Sequence, residues 1–409
     1  PRALSSSLRA ALADLDKVRA VARRVYEAWR GGDQLVVVVS AMGKTTDGLV
    51  QLAETAAYPP VSRELDALLA TGEQSSAALL ALVLNSLGCP AVSLTGWQAG
   101  IVTDEQHGTA RIEALAAERL REELTAGRLP IVTGFQGISR HGDVTTLGRG
   151  GSDATAVALA AALAADSCEI YSDVAGIYTA DPHIEPLAQP LPEISYDEML
   201  ELARLGAKVL QHRAVEYARA SGVIIQARST FEEEGETRVV PTVREPARAV
   251  SSVTVDKQTA KIALIAVPDR PGIASLLFGE LARQSVNVDM IIQSVSRRLT
   301  NDIAFTVAEV DLERAMAGAR AVAMQLGLRR RDDVISDANV AKLSIVGAGM
   351  VTRPGVAATF FDALGEAGVN IEMIATSEIS VSCLIRREEA DEALRQVHHA
   401  FGLDRPIVT

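Results

Sequence analysis

Three short motifs occur twice toward the C-terminal end of this 409-residue chain, at almost constant spacing. Ala260-Lys261-Ile262 resembles Ala341-Lys342-Leu343, and Arg270-Pro271-Gly272-Ile273-Ala274 resembles Arg353-Pro354-Gly355-Val356-Ala357. Asn287-Val288-Asp289-Met290-Ile291 resembles Asn370-Ile371-Glu372-Met373-Ile374. The offsets are 81, 83 and 83 residues, the size of a small domain, so the pattern means two copies of one fold and not a solenoid. Each copy reads strand, Pro-Gly turn, helix, strand, strand, helix, strand, a βαββαβ plan. The rest of the chain is long enough for a separate core, and the whole suits two or three domains.

The N-terminal part alternates strands with helices, which predicts an α/β sheet. Asp14 to Arg30 reads as an amphipathic helix with Leu15, Val18, Val21, Ala22 and Val25 on one face, stopped by Gly31-Gly32. The β-branched run Leu35 to Val39 suits a parallel strand buried on both faces. Further strands are expected at 91–94, 129–133 and 169–172, with helices at 77–87, 111–126 and 155–165. Pro1 to Ser7 is poor strand material, so no first strand is expected there. A charged turn at Phe231 to Glu236, followed by Pro241 and Pro246, marks a domain boundary.

Composition narrows the function classes. Hydrophobic residues at 48% and charged residues at 22% exclude disorder as the main state. A net charge of −12 repels phosphate backbones and argues against a nucleic-acid partner. Cys89, Cys168 and Cys383 lie far apart without a CxxC pair, which disfavours a disulfide framework and a zinc site. The six His show no H-x-x-x-H spacing, so no metal-ligand cluster is proposed. No apolar run is expected to reach membrane-spanning length and no signal peptide is seen, so a cytoplasmic protein without a membrane partner is expected.

Several stretches can carry chemistry. Gly43-Lys44-Thr45 tempts a Walker A reading, but that motif needs a glycine at position 38, which is Val38. What remains is a hydroxyl-rich loop, Ser40 to Thr46, at the carboxyl end of a buried strand, where α/β sheets bind ligands. Leu147-Gly148-Arg149-Gly150-Gly151-Ser152-Asp153 is the most informative segment. It precedes a strongly helical stretch, so Ser152 and Asp153 sit at a helix N-terminus that favours an anion. Arg149 adds a bidentate fork for a carboxylate or phosphate. Asp173, at a strand end, can bind ribose or order a metal-bound phosphate, or can simply cap a turn; Tyr178 can cover a purine. Glu73, after Thr71-Gly72, is expected to open a helix and complement its dipole. Lys208 can reach a γ-phosphate or remain solvated.

Together these stretches resemble the aspartate kinase family of the amino-acid kinase superfamily. The resemblance is carried by Val39-Ser40-Ala41-Met42-Gly43, Thr71-Gly72-Glu73-Gln74, Ser93 to Gly100, Gly134-Phe135-Gln136-Gly137, Leu147 to Asp153 and Ile194 to Met199. The duplicated tail resembles that family's two ACT domains. The implied fold is an open, mostly parallel α/β sheet sandwiched by helices over 1–240, followed by ferredoxin-like ACT domains at 255–330 and 335–409. The implied reaction is ATP-dependent phosphorylation of the aspartate β-carboxylate, with Mg²⁺ between the nucleotide phosphates. Catalysis would fall to Lys208, Arg149 and Asp153, the last orienting the site from its helix start. Aspartate would be held by Ser40, Thr46, Glu73, Phe135, Arg149 and Ser152, with Glu73 pairing its α-ammonium. Ser172, Asp173, Tyr178, His183 and Lys208 would face ATP. Lysine or threonine would act as effector on Asp269, Asn287, Val288, Asp289, Gln293, Val356, Ala357, Asn370, Ile371, Ser377 and Glu378. Paired ACT sheets imply a homo-oligomer, with a dimer expected.

Two departures from the family stand out. Its opening Lys-Phe-Gly-Gly-Thr-Ser is missing, and a gapless alignment puts Ser6 at the lysine and Leu8 and Arg9 at the glycines. A three-residue insertion would instead put Arg2 at the lysine. His183 stands where the family has Arg after Asp-Pro, a shorter and mostly neutral grip on phosphate. The alternative reading is a catalytically impaired relative that acts as an amino-acid sensor or regulatory partner.

Overall fold

The computed structural model describes residues 2–6, 15–172, 174–207, 209–230, 235–243, 248–294 and 300–405. It divides into two compact units. The first comprises 1–177, 190–204 and 208–245, and the second comprises 178–189, 205–207 and 246–409.

The first unit contains β1 (Arg2–Ser6), α1 (Leu15–Arg30), β2 (Leu35–Val39), α2 (Thr45–Ala56), α3 (Ser62–Ser86), β3 (Ala91–Leu94), β4 (Ile101–Thr103), β5 (Ile112–Leu115), α4 (Glu118–Thr125) and β6 (Leu129–Thr133). It continues with β7 (Gln136–Ser139), β8 (Val144–Thr146), α5 (Gly151–Leu163), β9 (Cys168–Ser172), β10 (Glu193–Ser195), α6 (Tyr196–Arg204), α7 (His212–Ser221), β11 (Ile225–Ser229) and β12 (Glu236–Val240). Eight strands form one sheet in the order β10-β12-β11-β9-β1-β2-β6-β3, with parallel pairing from β11 through β3. The valine run of β2 is buried at every position, as expected for a strand covered on both faces. A smaller sheet, β5-β4-β7-β8, lies in the same unit. At the start of α6, the Ser195 Oγ accepts from the Glu198 amide at 3.2 Å, while the Ser195 amide donates to the Glu198 carboxylate at 3.3 Å. This capping box gives the Ile194-Ser195-Tyr196-Asp197-Glu198 motif a structural role.

Four sequence expectations need correction in this unit. Arg2 to Ser6 does form a strand, and a central one, because β2 and β9 pair with it on either side and supply the ladder that side-chain propensity does not. Ser6, at the family's lysine position in the gapless alignment, ends that strand; Leu8 and Arg9 lie outside the described residues. Residues 111–126 are not one helix but β5 followed by α4, since Ile112–Leu115 finds a partner strand in β4. Glu73 does not open a helix: it lies in the middle of the 25-residue α3. Gly72 before it is no breaker but a close-approach residue, for a Cβ there would meet the Ala41 Cβ at 3.0 Å. Finally, α3 is long and apolar enough to cross a membrane by length and composition, contrary to expectation. Its face of Leu69, Ala77, Leu80 and Leu84 is buried in the unit's core, and it carries two buried acids, Asp66 and Glu73.

The second unit holds the duplication. β13 (Ser252–Asp256) comes first, then copy 1 as β14 (Thr259–Pro268), α8 (Ile273–Arg283), β15 (Val288–Gln293), β16 (Thr300–Ala308), α9 (Leu312–Gln325) and β17 (Val334–Asp337). Copy 2 is β18 (Val340–Val346), α10 (Val356–Glu366), β19 (Met373–Thr376), β20 (Ser380–Arg386) and α11 (Ala390–Ala400). Copy 1 completes its sheet, β15-β16-β14-β17, with its own last strand. Copy 2 does not. Its sheet is β13-β18-β20-β19, so its fourth strand comes from before copy 1 and not from the chain after α11. The βαββαβ order therefore holds for copy 1, and copy 2 is assembled around it, with an edge strand outside the 335–409 range.

The repeated motifs meet across the two copies. Lys261 of copy 1 pairs with Glu372 of copy 2, and Lys342 of copy 2 pairs with Asp289 of copy 1. Lys261 and Lys342 are equivalent positions, as are Asp289 and Glu372, so the ion pairs are crossed as a two-fold axis would require. Met290 and Met373, also equivalent, pack with Val340 and Leu384 in one small apolar cluster between them.

Candidate functional site

The candidate site grows from the carboxyl ends of two adjacent parallel strands. β2 and β6 pair in register up to Val39 and Thr133, and the Gly134 amide donates to the Val39 carbonyl at 2.9 Å. Ser40 and Gly134 are thus the first residues beyond the sheet on neighbouring strands. The buried Ser40 begins the loop to α2, and Thr46, half-buried, sits in that helix's first turn.

α3 crosses beside this loop. The Glu73 carboxylate, only 3% exposed, accepts the Ala41 amide at 3.1 Å. One residue on, Gln74 Nε2 donates to the buried Gln136 at 3.4 Å, and Gln136 Nε2 donates to the Ala70 carbonyl at 2.9 Å. Glu73 is thereby fastened between the β2 loop and the β6–β7 turn. That turn carries Phe135, half-buried and in the left-handed region at φ 69°.

The N-terminus of α5 closes against the same turn. Gly150, itself left-handed, precedes the helix, and Gly151, Ser152 and Asp153 form its first turn. A Cβ on Gly134 would lie 2.6 Å from Ser152 Oγ, so the β6 turn and the helix start touch in a way only glycine permits. Ser152 and Asp153 are buried. Burial raises the Asp153 carboxyl to about 7. Its Oδ1 and the nearby strand-end Thr133 Oγ1 are both buried without a hydrogen-bond partner. Buried polar atoms usually find a partner, so two such atoms at one strand end and helix start mark a place prepared for a polar group. Arg149, on the turn just before, is exposed and makes no ion pair or hydrogen bond among the described residues.

The structure thus gathers Ser40, Glu73, Phe135, Ser152 and Asp153 around the ends of β2 and β6, with Thr46 in the first turn of α2 and Arg149 on the turn before α5. Sequence reasoning did not single out Thr133 or Gln136 as site residues, nor Asp66 in the neighbouring part of α3. The signal for Asp66 was available: it lies seven residues before Glu73, two helical turns, so the two acids share a face of α3.

The residues expected to face ATP are more scattered. Ser172 ends β9, and its Oγ is engaged with Val174, accepting its amide at 3.3 Å and donating to its carbonyl at 3.0 Å. Asp173 and Lys208 lie outside the described residues. Tyr178 and His183 belong to the second unit. Tyr178, half-buried, packs against the apolar core of copy 2. His183 is exposed and held by Asp181, whose carboxylate lies 3.0 Å from its Nδ1.

In the second unit some of the expected effector residues fall at equivalent positions of the two copies, Asn287 with Asn370 and Val288 with Ile371. Asn287 and Asn370 are exposed in the turns after α8 and α10. Val288, Asp289 and Ile371 follow them, half-buried, with Asp289 held by Lys342. Asp269 accepts from Asn301 Nδ2 at 3.3 Å, while Gln293, Ala357 and Glu378 are exposed. Ser377 bonds Ser380 at 2.8 Å. Val356 lines a cavity of about 410 Å³ with Arg248, Arg353, Thr359 and Phe401.

Comparison with known proteins shows the family. A family model described as the amino acid kinase family matches residues 9–227, and an ACT-domain model matches 262–319 and 343–401. The aspartokinase of Mycolicibacterium smegmatis is 46% identical over 398 residues, covering 96% of this chain and 94% of that protein. Solved structures of E. coli aspartokinase III align over 98% of this chain and 99% of theirs at 25% identity. The complex with aspartate and ADP gives a TM-score of 0.80, and the complex with lysine and aspartate gives 0.76. With its kinase fold, its duplicated ACT domains and aspartokinase relatives along nearly its whole length, this chain belongs to the amino acid kinase family, among the aspartokinases.

Proposed function

We propose that the chain transfers the γ-phosphoryl group of ATP to the β-carboxylate of L-aspartate, forming 4-phospho-L-aspartate. The observation that carries this reading is the buried Glu73 carboxylate, held by the Ala41 amide in the loop after β2, with the N-terminus of α5 packed against the neighbouring β6–β7 turn. It supplies an anion for the substrate ammonium, while the helix start and Arg149 supply positive ends for its carboxylates. A small amino acid with two carboxylates matches that charge pattern. The site's work is positioning and charge neutralisation, since the acceptor is already a nucleophilic anion and no proton has to be removed from it. Glu73 and Ser152 orient aspartate, Ser40 and Thr46 border its pocket, and Asp153 keeps the donors of the helix start aligned.

For the nucleotide we assign Ser172, Asp173, Tyr178, His183 and Lys208, by resemblance to the family. Magnesium, when bound with ATP, would neutralise phosphate charge. Such an ion rides mainly on phosphates and one or two carboxylates, and the partnerless buried Oδ1 of Asp153 fits that demand. Lysine or threonine would bind the turns that carry Asn287 and Asn370, in a cytoplasmic homo-oligomer paired through its ACT sheets. Effector and substrate would then be coupled reciprocally.

The test is hydroxylamine trapping of the acyl phosphate with aspartate and ATP, with and without lysine and threonine. Hydroxamate formation that requires both substrates supports the reading. Its absence would favour an amino-acid sensor. Arg149→Ala is expected to abolish aspartate binding, and unchanged affinity by calorimetry refutes that assignment.

A further inference from the structure

The turn that carries Arg149 is gripped from two sides by groups outside the substrate pocket. On one side stands Asp66, in α3 and 1% exposed. Its carboxylate accepts the Gly108 amide at 3.0–3.1 Å, the Thr146 amide at 3.0 Å and the Thr146 hydroxyl at 2.6 Å. It also faces His107 Nδ1 at 2.9 Å. On the other side stands Arg213, in α7, whose guanidinium donates to the carbonyls of Leu147 at 2.9 Å and of Thr109 and Ala110 at 3.4 Å.

The division of labour is chemically complete. The acid takes the N–H groups of the 104–110 loop and of β8, and the base takes the carbonyls of the same loop and of Leu147. The Ala110 amide joins the two segments by donating to the Thr146 carbonyl at 2.9 Å. A carboxylate accepts only and a guanidinium donates only, so neither residue can exchange roles with the other.

We propose that Asp66 and Arg213 are positioning residues for aspartate: they hold the 146–150 turn so that Arg149 meets the substrate, without touching the substrate themselves. The proposal rests on the aspartate kinase reading above and deepens it. It also accounts for a buried acid that the substrate site does not use. A misplacement of about 1 Å at a substrate-holding group costs about 10²-fold in rate.

Asp66→Asn keeps the size but turns one acceptor oxygen into an amide donor that faces other donors. The expected result is a rise of about 10-fold or more in the KM for aspartate, with the KM for ATP within about twofold. Faster amide exchange should be confined to 104–110 and 144–151. Arg213→Gln should shift both readouts the same way by about threefold, because backbone amides still anchor the turn through Asp66. An unchanged aspartate KM in folded Asp66→Asn, or equal rises in both KM values, overturns the proposal. Should Asp66→Asn fail to fold, the half-buried Arg213→Gln decides by the same criterion. A wild-type chain that makes no acyl phosphate would overturn the reaction instead. Amide exchange at Gly108 and Thr146 would then decide the clamp alone, and unaltered exchange in Asp66→Asn would sink it.

Discussion

The seam between the two ACT copies and the start of α5 in the kinase unit treat buried charge in opposite ways. Between the two ACT copies, each lysine of the repeated motif finds the acid of the other copy, and Lys342, its side chain only 3% exposed, is paired with Asp289. In the kinase unit Asp153 is buried with one oxygen lacking any partner, and its carboxyl is raised to about 7 by that burial. An internal interface is stabilised by completing its pairs, since an uncompensated buried charge is strongly destabilising. In the proposed substrate site a poorly solvated group is instead held in reserve for a ligand.

This contrast can be broken or sharpened by substitution. The largest effect is expected at Asp153. Asp153→Asn should lower the hydroxamate rate on the order of 10²-fold by disturbing the helix start, while leaving the urea midpoint at pH 8 unchanged or higher. A lower midpoint with full activity would mean that Asp153 is a structural acid like those of the other unit.

Next in size is Asp289→Asn, which strips a nearly inaccessible lysine of its carboxylate. The expected loss is about 2–3 kcal/mol, read as a lower urea midpoint and faster amide exchange in β15 and β18. Breaking the other crossed pair from its lysine side, Lys261→Met, should cost about 1 kcal/mol or less. Glu372 keeps Arg386 as a second partner at 3.2 Å, and Lys261 is partly solvated. Equal losses from both substitutions would show that the crossed pairs are energetically symmetric despite their different burial.

A pH series gives a subtler effect. The unfolded carboxyl of an Asp titrates at about 3.9, whereas that of Asp153 in the folded chain titrates at about 7. Between these values the folded chain holds a proton that the unfolded chain has released. Its contribution to stability therefore falls as pH rises from about 4 to about 7 and is gone above that. Wild type should lose more stability than Asp153→Asn between pH 5 and 8, and parallel curves would contradict the raised value.

Much of this was legible in residue order. The 83-residue offset announced two copies, because equivalent turns need equivalent residues: Gly272 and Gly355 both adopt the left-handed conformation, at φ 94° and 96°. The glycines around Arg149 and the hydroxyl loop after the valine strand marked the candidate site at the carboxyl end of the sheet for the same local reason. Errors arose where a neighbour outvoted the local signal. Arg2–Ser6 became a central strand between β2 and β9, and Ile112–Leu115 left a helical pattern to pair with β4.

By itself, the sequence determined the elements whose cause is local: buried β-branched strands, helix starts, positive-φ turns and the duplication. Tertiary structure alone decided which strand completes copy 2, that Lys342 meets Asp289, and that an unremarked aspartate in α3 grips the turn bearing Arg149. Each of these is a contact between segments far apart in the chain. Such contacts depend on which unsatisfied backbone or charged group arrives beside which other, and no periodicity in the sequence records that.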